Sequence, residues 1–187
     1  MKNLAVFASG QGTTFRHLLE SQSKNLFSGN IKLLVTNKTG IGAVAIANEF
    51  NITHQCIPSK SLTKNQDLLD ALKKHSIDFI ILTGYLAKID KPIITEYKNK
   101  IINTHPSLLP KFGGKGMYGQ RVHQAVIANG EATSGVTIHI VDEDYDSGRV
   151  IAQEVVPLTP EETSESLENK IKIIEKNLLV KVLADTL

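Results

Sequence analysis

The sequence is poor in several features that mark particular classes of protein. Its 187 residues include one cysteine, Cys56, and no tryptophan. A single cysteine cannot form an internal disulfide bond, and in an apolar segment it favours a buried, inert thiol in a reducing compartment. No apolar run approaches the ~20 residues that a membrane helix needs, and residues 4–8 are too few for the core of a secretion signal. We therefore expect a cytoplasmic protein without a membrane partner.

The sequence also lacks a large excess of charge of either sign. Lys and Arg together number 21 and Asp and Glu 19, so the formal net charge is +2. Nucleic-acid-binding proteins concentrate their cations on one face, whereas the three arginines here are scattered. We therefore expect no nucleic-acid partner. This charge does not exclude a small anionic ligand. The hydrophobic share of 41% and the charged share of 21% are typical of a globular domain and exclude disorder.

What the sequence does have is a regular alternation of short apolar runs and helix-like segments. Residues 4–8, 31–36 and 79–82 predict strands, and the last of these is apolar at consecutive positions, as in a strand buried on both faces. Residues 42–50 and the region around Leu68 predict helices between the strands. Because parallel strands need a crossover, this alternation predicts an α/β fold: a doubly wound, mostly parallel sheet with helices on both faces.

In the last third of the sequence the order of predicted elements changes. A Pro- and Gly-rich loop at 104–118 precedes a predicted helix at 120–128 and strands at 136–141 and 150–156. A final amphipathic helix is predicted, with residues 159–162 supplying its cap, an N1 proline and an acidic first turn. We find no repeat, low-complexity segment or linker. The sequence therefore predicts a single domain, 1–187.

A Gly-rich loop at 9–14 joins the first predicted strand to the first predicted helix. Backbone N–H groups at such a helix N-terminus can hold a phosphate, although the loop can also be a plain connector. The dinucleotide fingerprint is incomplete because its third glycine would fall at Phe15, and Gly12 is not followed by the Lys-Ser/Thr of a P-loop. The hydroxyls of Thr13 and Thr14 suit a phosphate monoester.

Asn103 and His105 follow the apolar pair at 101 and 102. If they continue a strand, its period of two places both side chains on the same side. A carboxamide donor beside an imidazole can bind an oxyanion. Alternatively, Asn103 caps the loop and His105 bonds a backbone carbonyl.

An acidic run, 142–148, follows a predicted buried strand. We expect Asp142, Glu143 and Asp144 to form a solvated turn. The run lacks the final Glu of a calcium loop, and the six histidines are not spaced as metal-ligand pairs. The sequence therefore predicts no metal.

Four segments together resemble a known family. They are Ser-Gly-Gln-Gly-Thr-Thr at 9–14, Leu-Thr-Gly-Tyr-Leu at 82–86, Asn-Thr-His-Pro-Ser-Leu-Leu-Pro at 103–110 and Asp-Tyr-Asp-Ser-Gly at 144–148. In this order, over essentially the whole chain, they are similar to the glycinamide ribonucleotide formyltransferase family. The most specific segment is 103–110, which folate-dependent formyltransferases share generally.

The resemblance implies an activity and a set of site residues. The reaction would move the formyl group of 10-formyltetrahydrofolate, a co-substrate, to the amine of phosphoribosylglycinamide in purine biosynthesis, in a monomer or a homodimer. The implied catalytic residues are Asn103, His105 and Asp146. The substrate-binding residues would be Gly12, Thr13, Thr14 and Glu175. The reduced folate would be bound by Lys64, Leu86, Ala87, Lys88, Ile89 and Asn103.

The implied chemistry needs donors for a tetrahedral oxyanion. Asn103 and, by hypothesis, a protonated His105 would supply them, with Asp146 favouring the charged imidazole and assisting proton transfer. The sequence departs from the family where members often have Arg at the position of Ala87. This departure concerns the contacts of the pocket more than the reaction.

Three alternatives belong to other functional classes. Methionyl-tRNA formyltransferase carries an added C-terminal domain. Formyltetrahydrofolate deformylase is a hydrolase and carries an added N-terminal domain. The start and end of this sequence lead us to expect neither. A non-catalytic nucleotide-binding module would explain the loop at 9–14 but would leave Asn103, His105 and Asp146 without a role.

Overall fold

The computed structural model describes residues 1–187 as one seven-stranded sheet flanked by six helices. In chain order the elements are β1 (Lys2–Ala8), α1 (Thr13–Ser23), β2 (Gly29–Thr36), α2 (Gly42–Glu49), β3 (Thr53–Cys56), α3 (Lys64–Lys74), β4 (Phe79–Leu82), α4 (Lys91–Glu96), β5 (Ile101–His105), α5 (Gln120–Ala128), β6 (Thr133–Ile140), β7 (Val150–Pro157) and α6 (Ser164–Thr186). The strand order is β3-β2-β1-β4-β5-β6-β7.

The first five strands are parallel, and they form the centre of the fold. Strand β1 illustrates the burial of this central sheet on both faces. Its side chains alternate between two hydrophobic cores: Leu4 and Val6 face α1, α2, α5 and α6, whereas Ala5 and Phe7 face α3 and α4. All four residues are fully buried. The predicted doubly wound, mostly parallel α/β fold is confirmed.

Strands β6 and β7 run antiparallel to their neighbours and complete the sheet beyond β5. In this register Asn103 of β5 lies opposite His139 of β6. Directly opposed residues of antiparallel strands project from the same face of the sheet, so these two side chains can meet. The two ends of the chain also meet, because the Lys2 Nζ donates a hydrogen bond to the carbonyl of Thr186 at 3.2 Å.

Helix α6 begins later than the sequence pattern predicts. Residues 159–162 form a turn, closed by the Glu162 N–H and the Thr159 carbonyl at 3.0 Å. The N-cap is Thr163, and it forms a reciprocal capping box with Ser166. The expected cap and N1 proline at 159–162 were therefore wrong, because the side chain of Thr163 satisfies the free N–H groups four residues further on.

Helix α4 was not predicted at all. It has six residues, with a proline in its first turn. A helix of this length has less than two turns, so its apolar positions show no repeat that a sequence pattern can detect.

Candidate active site

A cleft of about 620 Å³ opens at the carboxyl ends of β1 and β4. These two strands are neighbours in the sheet, but the chain leads from β1 to β2 on one side and from β4 to β5 on the other. Open α/β sheets bind their ligands at such a switch point. The cleft is lined by the loop after β1, the segment after β4, the end of β5, the β6–β7 turn, and residues of α5 and α6.

The loop after β1 places Gly12 as the N-cap of α1, with φ of +75°. A Cβ at this position would lie 2.7 Å from the Cα of Ala43, so helix α2 requires a glycine here. Thr13 and Thr14 form the first turn of α1, where backbone N–H groups have no partner within the helix. All three residues line the cleft, so this end of it presents backbone and hydroxyl donors suited to an anion.

Glu175 of α6 reaches the same end of the cleft. Its Oε1 accepts a hydrogen bond from the Thr14 hydroxyl at 3.2 Å. Burial raises the pKa of Glu175, and hydrogen bonds from Thr104 and Thr14 only partly oppose that shift. Lys172 and Lys176 line the same wall. The Glu175 carboxyl group therefore lies beside the first turn of α1, and two lysines of α6 line the cleft.

A second cluster of polar side chains lies deeper in the cleft. Asn103 Nδ2 donates to His139 Nε2 at 3.1 Å and lies 3.5 Å from Asp146 Oδ1. His105 Nδ1 is 3.5 Å from Asp146 Oδ2. The structure therefore brings Asn103, His105 and Asp146 together, as the alternation along β5 predicted for the first two.

Asp146 is held by its backbone as well as by its partners. Its φ of +55° is unusual for a residue with a side chain. Its Oδ2 accepts a hydrogen bond from the Gly114 N–H at 2.8 Å, and so joins the β6–β7 turn to the loop after β5. Burial alone would raise the pKa of Asp146. Interactions with the two neighbouring histidines, His139 and His105, and the bond from the Gly114 N–H outweigh it and lower the pKa.

The side chain of His105 is 4% exposed, and this burial affects its pKa. Burial lowers the pKa of His105, and the nearby Asp146 carboxylate and the bond to the Phe112 carbonyl only partly offset the shift. Nε2 lies 2.8 Å from that carbonyl, so it carries the proton of the neutral ring. Desolvation of the ring thus outweighs the attraction of Asp146 and disfavours the imidazolium. The protonated His105 that the resemblance implies stays a prediction.

His139 is the site residue that sequence reasoning missed. Its ring is 2% exposed, and Nδ1 donates to the Ile140 carbonyl at 2.9 Å, which leaves Nε2 free to accept from Asn103. The available signal was the pair of polar residues, Thr137 and His139, at alternate positions of the otherwise apolar run 136–141. That alternation indicates one face of β6 turned toward a polar site.

The rest of the acidic run behaves largely as expected. Glu143 and Asp144 are exposed. Asp142 is half-buried instead, because its Oδ1 accepts hydrogen bonds from the Ser147 hydroxyl at 2.7 Å and the Asp144 N–H at 3.2 Å. No group of three or more His, Cys, Asp or Glu side chains is arranged to hold a metal ion. None of the helices has the length and apolar character needed to cross a membrane.

The segment after β4 forms another wall of the cleft. Leu86, Ala87, Lys88 and Ile89 all line it. Lys64 does not. Its Nζ pairs with Asp90 Oδ2 at 2.9 Å and donates to the Lys88 carbonyl at 3.2 Å. Lys64 thus contacts the wall itself, and its expected contact with the folate stays a prediction.

Fold and site together define a doubly wound α/β protein whose Gly-rich loop at 9–14 and Asn-His-Asp cluster line the same cleft. Comparison with known proteins gives the family. The model of the formyl transferase family matches residues 2–183, and the chain belongs to this family. The resemblance seen in the sequence is thereby confirmed.

The relatives agree with this assignment. The chain is 45% identical to the chloroplastic phosphoribosylglycinamide formyltransferase of Vigna unguiculata, over 97% of this chain and 59% of the relative. It therefore spans about three fifths of the length of that plant protein. It is 33% identical to the phosphoribosylglycinamide formyltransferase of Bacillus subtilis, over 94% of this chain and 89% of the relative.

A solved structure shows the same fold. Glycinamide ribonucleotide transformylase 1 from Geobacillus kaustophilus superposes with a TM-score of 0.91 at 36% identity, over 99% of this chain and 98% of that one.

Proposed function

We propose that the chain, acting as one domain over residues 1–187, transfers the formyl group of 10-formyltetrahydrofolate to the amine of phosphoribosylglycinamide. The observation that carries this proposal is the meeting of Asn103, His105 and Asp146 in the cleft that also holds the anion-binding loop. The names of the Vigna and Bacillus relatives support the choice of substrate.

The phosphate of the ribonucleotide would be held at the first turn of α1. Gly12, Thr13 and Thr14 offer N–H and hydroxyl donors there, and the helix dipole favours an anion. Glu175 lies beside Thr14, where a carboxylate oxygen suits a ribose hydroxyl. The glycinamide amine would then extend toward the deeper cluster.

The folate would occupy the wall formed by residues 86–89 and reach Asn103. This placement puts the formyl group between the two ligand ends, at the Asn-His-Asp cluster. No metal is needed in the reaction, because the amine is itself the nucleophile and the cluster supplies donors for the oxyanion.

Attack of the amine on the formyl carbon forms a tetrahedral intermediate with a negatively charged oxygen. Asn103 Nδ2 and His105 Nε2 are the nearby donors, and each already bonds a protein acceptor. Both must therefore exchange that acceptor for the substrate oxygen. As negative charge develops, the proton affinity of His105 rises, and the proton that leaves the amine could reach its Nδ1 from Asp146 before it moves on to the folate nitrogen.

Asp146 has a second part in this scheme. Its lowered pKa keeps it ionised at neutral pH. An ionised carboxylate can take the proton that the amine loses, directly or through one water, and pass it toward the departing folate nitrogen. Transfer then ends with tetrahydrofolate and the formylated ribonucleotide.

The partners in this proposal are small molecules, and whether the chain acts as a monomer or a homodimer stays a prediction. A cytoplasmic location stays a prediction as well, because the Vigna relative is named as chloroplastic. No nucleic-acid partner is proposed.

One assay tests the reaction. The purified chain is mixed with phosphoribosylglycinamide and 10-formyltetrahydrofolate, and release of tetrahydrofolate is followed with and without the ribonucleotide, for the wild type and His105→Ala. Release that needs both the ribonucleotide and His105 supports the transferase. Release without the ribonucleotide would indicate a hydrolase, and no release by the wild type would favour a non-catalytic binding module.

A further inference from the structure

Lys64 is in an unfavourable place for a lysine. It is the first residue of α3, where the positive end of the helix dipole repels a cation. Its side chain is only 10% exposed. Burial of an ammonium group costs free energy unless a partner compensates for it, so this position needs an explanation.

The partner of Lys64 is also in an unusual role. Asp90 is the N-cap of α4, yet its carboxylate makes no capping hydrogen bond. Asp is among the best N-cap residues because its carboxylate accepts from the first free N–H groups. Here the carboxylate turns to Lys64 instead, and the hydrogen bond from Lys64 lowers the pKa of Asp90.

These contacts fix one end of an irregular segment. Lys64 Nζ also donates to the carbonyl of Lys88, so one ammonium group holds both Lys88 and Asp90. At the other end, the Leu86 N–H donates to the Ser9 hydroxyl at 3.0 Å. The residues between these anchors belong to neither a strand nor a helix, and they form a wall of the cleft.

We propose that Lys64 is a positioning residue, which sets the folate-side wall at 86–89 through its ion pair with Asp90 and its bond to the Lys88 carbonyl. The inference rests on the proposed function. It differs from direct recognition of the folate, because Lys64 does not line the cleft. Its effect on the ligand passes through the backbone of the wall.

Steady-state kinetics test the inference with two co-substrates, 10-formyltetrahydrofolate and its analogue without the glutamate tail, 10-formyltetrahydropteroate. For Lys64→Met we expect the KM for both to rise by a similar factor of about ten, because a wall displaced by a fraction of an ångström misaligns the whole ligand. The kcat and the KM for the ribonucleotide should stay within about twofold, since Gly12 and Asn103 are anchored independently.

Further variants separate positioning from other roles. Lys64→Arg keeps the cation and should recover most of the wild-type KM. Asp90→Asn removes only the ion pair and should raise the folate KM by less than Lys64→Met, which also loses the bond to the Lys88 carbonyl. The double variant should add little to Lys64→Met, because Asp90 acts through Lys64. Lys74→Met is the matched control, since Lys74 lies exposed at the other end of α3.

The inference has distinct ways to fail. A KM that rises only for the co-substrate with a glutamate tail would show direct contact with carboxylates. An unchanged KM in Lys64→Met would show that the pair does not position the wall. A fall in kcat and in melting temperature without a change in folate KM would show a purely structural role. Calorimetric binding of tetrahydrofolate compares the variants without turnover, so an inactive wild type would overturn the proposed function and still leave this inference measurable.

Discussion

Asn103 is the residue on which the proposed chemistry depends most directly. Its Nδ2 lies within 3.5 Å of both His139 and Asp146, so it has a defined orientation. Removal of one oxyanion donor typically lowers a rate by about 10²–10³. We expect Asn103→Ala to lower kcat by that factor in the formyl-transfer assay.

The control for this variant is Asn48→Ala, because Asn48 is exposed on α2 and away from the cleft. It should keep wild-type kcat. Both variants should melt near the wild-type temperature. A fall of less than fivefold for Asn103→Ala would argue against its role as an oxyanion donor.

A second prediction concerns the pKa of His105 and its dependence on Asp146. Asp146 raises the pKa of His105 while burial lowers it further than Asp146 can restore. Asp146→Asn removes the raising contribution, so the pKa of His105 should fall below its wild-type value. An NMR titration of the imidazole resonances measures both values. An unchanged or increased pKa in the variant would contradict the coupling between the two side chains.

At this scale the sequence predicted well what depends on alternation along one strand. Asn103 and His105 are two residues apart on β5, and they do share a face. The contacts of Lys64 could not be predicted in the same way, because its partner, the Lys88 carbonyl, lies 24 residues further along the chain. His139 was missed for a related reason: its pairing with Asn103 depends on the antiparallel register of β6.

The loop between β1 and α1 gives a prediction at the scale of an element. Gly12 has a positive φ, and a Cβ there would press against Ala43 of α2. Gly12→Ala should therefore lower the free energy of unfolding by more than the ~1 kcal/mol that backbone strain alone costs. It should also raise the KM for the ribonucleotide, because the loop that we propose to hold the phosphate must shift.

Gly40→Ala separates the cost of backbone strain at a positive φ from the cost of a steric clash of the added Cβ. Gly40 has a similar φ of +67°, but no atom lies within 4 Å of an added Cβ. Urea unfolding should show a loss of about 1 kcal/mol for this variant and a larger loss for Gly12→Ala. Equal losses would mean that contact with α2 contributes nothing.

The elements themselves were predicted in proportion to their length and pattern. The boundaries predicted for the central strands and for α5 agree closely with the observed ones, because buried parallel strands are continuous apolar runs. Helix α4 is too short to show a period. The start of α6 was misplaced because residues 159–162 carry the composition of a helix start, while the capping bonds are made by Thr163 and Ser166.

Stability of the whole molecule should depend on pH through its buried histidines. Burial lowers the pKa of His17, His105 and His123 below the ordinary value of 6.5. The unfolded chain therefore binds more protons than the folded chain once the pH falls below about 6.5. The stabilising contribution is complete above that pH, and it is lost as the pH falls toward the folded values.

Urea unfolding between pH 8 and pH 5 measures this dependence. The histidines should lower the free energy of unfolding below about pH 6.5, by at most about 1.4 kcal/mol per pH unit each. Glu175 contributes with the opposite sign, because burial raises its pKa. His123→Gln should therefore reduce the decrease that the histidines cause, and a pH dependence identical to that of the wild type would contradict the burial of this ring as a neutral group.

The bond between Lys2 and the Thr186 carbonyl has a consequence for the architecture of larger proteins. It brings the first strand and the last helix together at the start of β1, whereas the cleft lies at the other end of that strand. A seven-residue strand separates the two by roughly 20 Å. Another polypeptide joined at either terminus, or a short linker that makes the chain circular, would thus leave the ligand entrance open.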